Sequence, residues 1–258
     1  MTQGMPDAQG AADLARVLRH PEPAQLWFQL AEIVGKRTYL RHGVSVREGD
    51  VVLDVGANVG VAAAFFASEC RAGLVHSFEP VEPLFRLLEE NLREFPACIA
   101  HGYGLSRAPG EAEITYYPGA GAMSSVYADT HEDRERVRTF LVNSGVPEAR
   151  AGEQLRGLDT AVKLSCELRT LSSVLREESI ERVDLVKIDV EKAELDVLDG
   201  IEEGDWSRIG QMVIEVHDER DRLARMSAAL ARRGFSIATE QDAAWAGTPM
   251  HMLYATRG

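Results

Sequence analysis

The stretch 51-VVLDVGANVGVAAAFFA-67 decides the fold. Apolar strand formers lead to Asp54, then to Gly56-Ala57-Asn58-Val59-Gly60, then to an alanine-rich helix. A turn so bare of side chains allows a close approach to its backbone. A helix that begins beside it offers free N–H groups to a ligand. Outward from here the alternation repeats. Hydrophobic periodicity predicts strands at 51–55, 73–79, 98–103, 183–189 and 211–217, with helices at about 58–69, 82–94, 171–178, 191–199 and 219–233. Two further strands, 235–239 and 251–256, are separated by a turn through Gly247 and Pro249.

Strands alternating with helices predict a mostly parallel, seven-stranded α/β sheet with helices on both faces. The last pair, joined by a hairpin-length loop, puts one antiparallel strand at an edge. Residues 1–10 read as disordered, and residues 1–47 as an N-terminal helical cap with a break at 21-PEP-23. Between 107 and 168 the alternation stops. The pattern there gives a strand at 111–117, a polar loop at 118–130, a charged helix at 131–143 and a loop-like stretch at 145–160. Such an insertion reads as a lid over the substrate, with Met123, Tyr127 and Phe140 toward the pocket. The expectation is one domain over 1–258.

Composition narrows the function. Twenty-eight basic residues against 41 acidic ones give a net charge of −13, which repels nucleic acid. The three cysteines, Cys70, Cys98 and Cys166, form no CxxC pair, which speaks against a thiolate zinc site or a disulfide framework. No apolar run is long enough to span a membrane, and the first residues lack the apolar core of a signal peptide. The expected location is the cytoplasm.

A dinucleotide fingerprint would read GxGxxG; here the loop reads Gly56-x-Asn58-x-Gly60 after an aspartate. Asp54 would repel a pyrophosphate and favour a cationic ligand. This points to S-adenosyl-L-methionine, with its amino group and sulfonium, rather than to NAD. Strand two ends in Glu79, nineteen residues after Gly60, where a carboxylate accepts ribose hydroxyls.

The chain resembles the FkbM family of S-adenosylmethionine-dependent methyltransferases over roughly residues 35–256. The likeness rests on 53-LDVGANVG-60, 78-FEP-80, 104-GLSRAPGEAEI-114, 169-RTLSSVL-175, 183-VDLVKIDVEKAELDVLDGI-201 and 214-IEVHD-218. The block 38-TYLRHGV-44 and the phrase DVEKAELDVL are similar to the subgroup of polyketide and nonribosomal-peptide pathways. Many family members have Gly where this chain has Lys192. The resemblance implies a Rossmann-like class I methyltransferase fold. It assigns Asp54, Gly56, Ala57, Asn58 and Gly60 to the methionine part of the cofactor and Glu79-Pro80 to the ribose. It assigns Gly104, Leu105 and Ser106 to the adenine.

Methyl transfer from a sulfonium needs an aligned acceptor and a group that takes its proton. Asp189, Glu215 and His217 stand at strand ends on the correct side. His217 is the expected general base, because imidazole accepts protons near neutral pH. His42, reaching over from the N-terminal segment, is a second candidate. Lys192 is a third, since Asp189-x-x-Lys192 is similar to the spacing in catechol O-methyltransferases, where the aspartate binds magnesium and the lysine takes the proton. On that likeness Asp189 and Glu215 are the ligands of a divalent ion such as magnesium. The plainer reading of Lys192 is an ion pair with Glu191 and Glu194. Lys187, on a buried strand, must reach an acid or the sheet edge.

The expected activity is O-methylation of a small-molecule natural product (a polyketide, peptide or sugar-bearing metabolite), either free or tethered to a carrier protein. The alternatives are N- or carboxyl-methylation on the same fold, or a non-catalytic cofactor-binding module.

Overall fold

The computed structural model describes residues 8–257. The expectation of disorder over residues 1–10 falls largely outside them, and residues 8–10 already open helix α1 (Ala8–Val17). Helix α2 (Pro23–Leu30) begins with proline, whose missing N–H costs nothing in a first turn. It passes into a π-helical turn at Ala31–Gly35.

The alternating region supplies β1 (Val51–Val55), α3 (Val61–Ser68), β2 (Leu74–Phe78), α4 (Glu82–Leu92), β3 (Cys98–His101), a short β4 (Gly104–Leu105) and β5 (Gly110–Tyr116). The insertion carries α5 (Thr130–Asn143) and α6 (Glu148–Gln154). Then come β6 (Val162–Arg169), α7 (Leu171–Glu177), β7 (Leu185–Ile188), α8 (Glu194–Asp199), β8 (Gln211–His217), α9 (Arg222–Arg232), β9 (Ser236–Glu240) and β10 (Met250–Thr256).

Seven strands form one sheet in the order β3-β2-β1-β7-β8-β10-β9. Neighbours from β3 to β8 are parallel, while β10 runs antiparallel to both β8 and β9. The antiparallel strand therefore lies one place inside the edge, not at it. Burial explains the inversion of the hairpin: Leu253, Tyr254 and Ala255 of β10 are fully enclosed, whereas β9 is half-exposed along its length. Strand order reverses between β1 and β7, and ligands of open α/β sheets bind at such a switch point.

Packing places the glycine loop there. Helix α3 is buried from Val61 through Phe66, and its alanines let it lie close against the sheet. The N-terminal turns pack on it, adding Leu14, Leu18, Leu26 and Leu30 to the same core. Asn91 of α4 fastens them: its side-chain amide donates to Arg19 O and Val59 O and its oxygen accepts from Arg19 N. On the other face α9 buries Met226 and Leu230 at i, i+4 spacing, ~2 kcal/mol for each side chain removed from water.

The insertion differs most from expectation. Strand β6 pairs antiparallel with β5 and parallel with β4, making a second, three-stranded sheet. Its alternation of Val162, Leu164, Cys166 and Leu168 is a period-2 signal in the sequence. The stretch 145–160 holds α6 and a 3-10 turn at Leu155–Leu158 rather than loop alone.

Candidate active site

One cavity of about 720 Å³ opens at the C-terminal ends of β1, β2, β7 and β8. Gly56, Ala57, Asn58, Glu79 and Pro80 wall one end, with Gly104, Leu105 and Ser106 beside them. Asp189, Glu215 and Tyr39 line the middle, and α2, α5 and the β9–β10 connection surround the far end.

The loop after β1 turns through left-handed backbone at Gly56, Asn58 and Gly60, so the helix starts at Val61 and not near Asn58. Asn58 N donates to Glu79 Oε2 and Val81 N to Glu79 Oε1, both at 2.9 Å. The carboxylate is thus held at the cavity wall by two backbone amides. Burial pushes the Glu79 carboxyl up to about 7 even so, the two amides and Lys187 offsetting only part of the effect.

Gly56 and Gly60 each also answer a packing demand. A Cβ on Gly56 would lie 1.8 Å from the Asp189 carbonyl oxygen, so this glycine lets the loops after β1 and β7 pass each other. Gly60 does not line the cavity; a Cβ there would meet Leu88 of α4 at 2.8 Å. Asp54 is also away from the cavity. Its fully buried carboxylate stands 3.0 Å from Lys187 Nζ, which also donates to Gly56 O at 2.6 Å. The acid expected to face a cationic ligand is neutralised by the neighbouring strand. Lys187 reaches an acid as its burial demands, and the ion pair ties β7 to the glycine loop.

Beyond β7 the chain makes a tight turn with Glu191 and Lys192 both in the left-handed region, at φ 49° and 78°. Such backbone costs ~1–3 kcal/mol per non-glycine residue. The surrounding contacts hold it. Glu191 Oε2 accepts from Arg136 of α5 at 2.9 Å, and its carbonyl accepts from Ser125 Oγ. Lys192 precedes α8 rather than lying in its first turn, and its ammonium pairs with Asp133 at 3.0 Å, outside the main cavity. Neither Glu191 nor Glu194 is its partner.

His217 is fully buried, with Nδ1 2.7 Å from Glu194 and Nε2 3.0 Å from Glu191. It does not line the main cavity; Glu194 engages Nδ1, while Nε2 faces Glu191 without a hydrogen bond among the described residues. The expected base stands behind the wall as a support for it. His42 stands aside too, paired with Glu240 at 2.8 Å and tilted against Tyr254.

Asp189 and Glu215 do face the cavity. Tyr39 Oη donates to Asp189 Oδ2 at 2.8 Å. Glu215 has no hydrogen bond or ion pair among the described residues; burial first, then Asp189 and Glu191, raise its carboxyl well above the usual range. Asp189, Glu191 and Glu215 each bring an oxygen within 4.8 Å of one another, hard donors of the kind a divalent ion uses. Tyr39 already engages the first, and Arg136 and His217 the second.

Tyr39 and Arg136 line the cavity without having been named as site residues from the sequence, and Glu191, named there only as a partner for Lys192, lines it too. Tyr39 lies in the quoted TYLRHGV block, and Glu191 is two positions from Asp189. Arg136, which with Arg134 and Arg138 reads in the sequence as a solvated basic patch, is instead buried against Glu191. Met123 and Phe140 line the cavity as expected, but Tyr127 turns outward and donates to Asp196.

The sheet order and the cavity at its switch point define a class I methyltransferase fold. A model of the Methyltransferase FkbM domain matches residues 54–237, and the chain belongs to this family of S-adenosylmethionine-dependent methyltransferases. It is 39% identical over 240 residues to the 31-O-demethyl-FK506 methyltransferase FkbM of Streptomyces tacrolimicus, covering 92% of each chain. It is also 39% identical over 241 residues to the AMB antimetabolite synthetase AmbE of Pseudomonas aeruginosa, covering 88% of this chain but only 11% of that synthetase. Among solved structures, methyltransferase FkbM from Methylobacillus flagellatus KT shares the fold with a TM-score of 0.52 at 15% identity, covering 96% of this chain and 58% of the other. The protein is thus an enzyme of a family at work in natural-product pathways. Among the described residues no helix is long and apolar enough to cross a membrane.

Proposed function

We propose that the enzyme methylates a hydroxyl group of an uncharged small molecule, with Asp189 and Glu215 beside the acceptor. One observation carries this reading: a single cavity runs from the glycine loop and Glu79 to these two carboxylates. The residues present fit S-adenosylmethionine. Gly56, Ala57 and Asn58 offer close backbone, Glu79 a carboxylate for ribose hydroxyls, and Gly104, Leu105 and Ser106 the wall for the base. When bound, the cofactor supplies a methyl group on a sulfonium.

The chain's own task is to position the acceptor and take its proton. Glu215, unpaired and with a raised proton affinity, is the base; Asp189, oriented by Tyr39, accepts the hydroxyl's hydrogen bond. His217 and Arg136 hold Glu191 next to them. An anionic carboxylate acceptor would meet this acidic floor at a Coulombic cost, which favours a hydroxyl over a carboxyl group. The relative whose name specifies an O-demethyl substrate supports the same reading. A chain with a net charge of −13 favours a free acceptor over one tethered to an acidic carrier protein. The stretch 107–168 acts as the acceptor-side wall.

The test is incubation with methyl-labelled S-adenosylmethionine and a panel of neutral alcohols, followed by mass spectrometry. Label should enter an ether in step with S-adenosylhomocysteine, and Glu215→Gln should cut turnover by ~100-fold with cofactor affinity kept. Label recovered in an ester or an amine would overturn the reading.

A further inference from the structure

The far end of the cavity is built from three segments distant in sequence. Phe28 of α2 meets Phe140 of α5 edge-on, with ring centroids 5.5 Å apart. Phe140 in turn lies against Trp245, on the β9–β10 connection, at 4.2 Å and 30°. All three line the cavity, and Phe28 is 44% exposed at its mouth. Three aromatic rings in one row give the cavity a continuous apolar face.

The wall is held by polar clasps. Asn143 Nδ2 donates to Ala244 O and Ala246 O, fixing the end of α5 to the β9–β10 connection. Lys36 pairs with Glu32 at 2.7 Å and with Asp242 at 3.2 Å, and Arg41 pairs with Glu240 at 2.7 Å. Each of these cations answers a neighbouring acid, so none is offered to an anionic ligand. Phe28 and Trp245 also lie outside residues 54–237, the stretch matched by the family's domain model. The aromatic wall thus belongs largely to the flanks of the chain, and the cofactor end to its family-matched part.

We infer that the Phe28–Phe140–Trp245 wall determines acceptor specificity, binding the uncharged, apolar ring system of the acceptor while its hydroxyl points toward Asp189 and Glu215. Aromatic faces in a cavity take apolar rings by area burial and offset or edge contacts. The acidic floor and internally paired rim select against an anion. This inference deepens the proposed reaction and rests on that reading of the cavity.

The test uses the purified full chain and three probes: menthol as an uncharged apolar alcohol, methyl β-glucoside as an uncharged polyol, and cyclohexanecarboxylate as an apolar anion. Calorimetry first measures S-adenosylhomocysteine binding; each probe is then titrated with and without it, reading heat and tryptophan fluorescence. Menthol should bind at least tenfold more tightly than either other probe. Phe140→Ala and Trp245→Ala should each weaken menthol at least tenfold while S-adenosylhomocysteine affinity stays within twofold. Phe28→Ala, at an exposed position with no folding penalty expected, should weaken it by a smaller factor. Glucoside or carboxylate binding as tight as menthol, or menthol binding indifferent to all three substitutions, overturns the inference. Loss of S-adenosylhomocysteine binding alone, with the menthol pattern intact, counts against the cofactor reading and leaves the wall standing.

Discussion

His217 and Glu191 meet with 3.0 Å between Nε2 and Oε2, and the other ring nitrogen faces Glu194 at 2.7 Å. The imidazole stands between two carboxylates behind the cavity wall, hydrogen-bonded to Glu194 and facing Glu191 without a hydrogen bond. Against burial, which pushes it up, His217 and Arg222 hold the Glu194 carboxyl below its ordinary range. His217→Ala leaves buried carboxylates facing each other and should cost ~3 kcal/mol of stability, read by urea denaturation. Cofactor affinity should fall little. An unchanged midpoint together with abolished turnover would return His217 to the role of base.

Gly56→Ala and Gly60→Ala separate two kinds of close packing. At Gly60 the obstacle is the tip of Leu88, which can rotate away, so the cost should approach the ~1–3 kcal/mol of left-handed strain. At Gly56 the obstacle is the backbone oxygen of Asp189, which cannot yield without moving the end of β7. The Gly56 variant should melt at a clearly lower temperature and lose S-adenosylhomocysteine binding. Equal melting temperatures would contradict this account.

Glu79 makes stability fall with rising pH. Its folded carboxyl titrates near 7, against about 4.5 in the unfolded chain, so between these values the folded state binds more protons. Stability from this group is full below about pH 4.5 and declines by ~3 kcal/mol as pH rises to about 7. Glu79→Gln should remove that slope in pH-dependent denaturation and weaken cofactor binding at least tenfold. A retained slope would assign it to another group.

The buried pair His76–His101 works in the opposite direction. His76 Nδ1 lies 3.0 Å from His101 Nε2, and Tyr103 Oη is 3.2 Å from the other nitrogen of His101. Burial, then His76 and Arg169, lower His101 to about 4. Its stabilising contribution is present above about pH 6.5 and lost as pH falls toward 4, a change of ~3 kcal/mol. His101→Phe, which keeps the stack on Phe78, should flatten acid unfolding over this window. The measurement is thermal melting from pH 4 to 7.

Chelation tests the acid cluster directly. With Asp189 held by Tyr39 and Glu191 by Arg136 and His217, turnover should be unchanged by excess EDTA. Asp189→Asn should still lower it by ~10–100-fold, since the acceptor loses an anionic hydrogen-bond partner. Activity abolished by EDTA and restored by magnesium would instead make the three carboxylates metal ligands.

Much of this protein was legible in its sequence because the deciding patterns are local. The run into Asp54, the turn through Gly56, Asn58 and Gly60, and Glu79 at the end of β2 follow from strand and helix periods and glycine's backbone freedom. Those features place the switch point and the glycine-loop end of the cavity. What a side chain faces is not local. Asp54 has the same sequence neighbours whether it meets a ligand or Lys187, and only the parallel register Asp54↔Lys187 between β1 and β7 decides that. His217 ends β8 at the right height for catalysis, yet the left-handed turn at Glu191 and Lys192 closes over it. Arg136 looks solvated until α5 folds onto that turn. Tyr39, Phe28 and Trp245 line one cavity from segments up to more than two hundred residues apart, because what an aromatic ring faces depends on the surface opposite it and not on its neighbours in sequence.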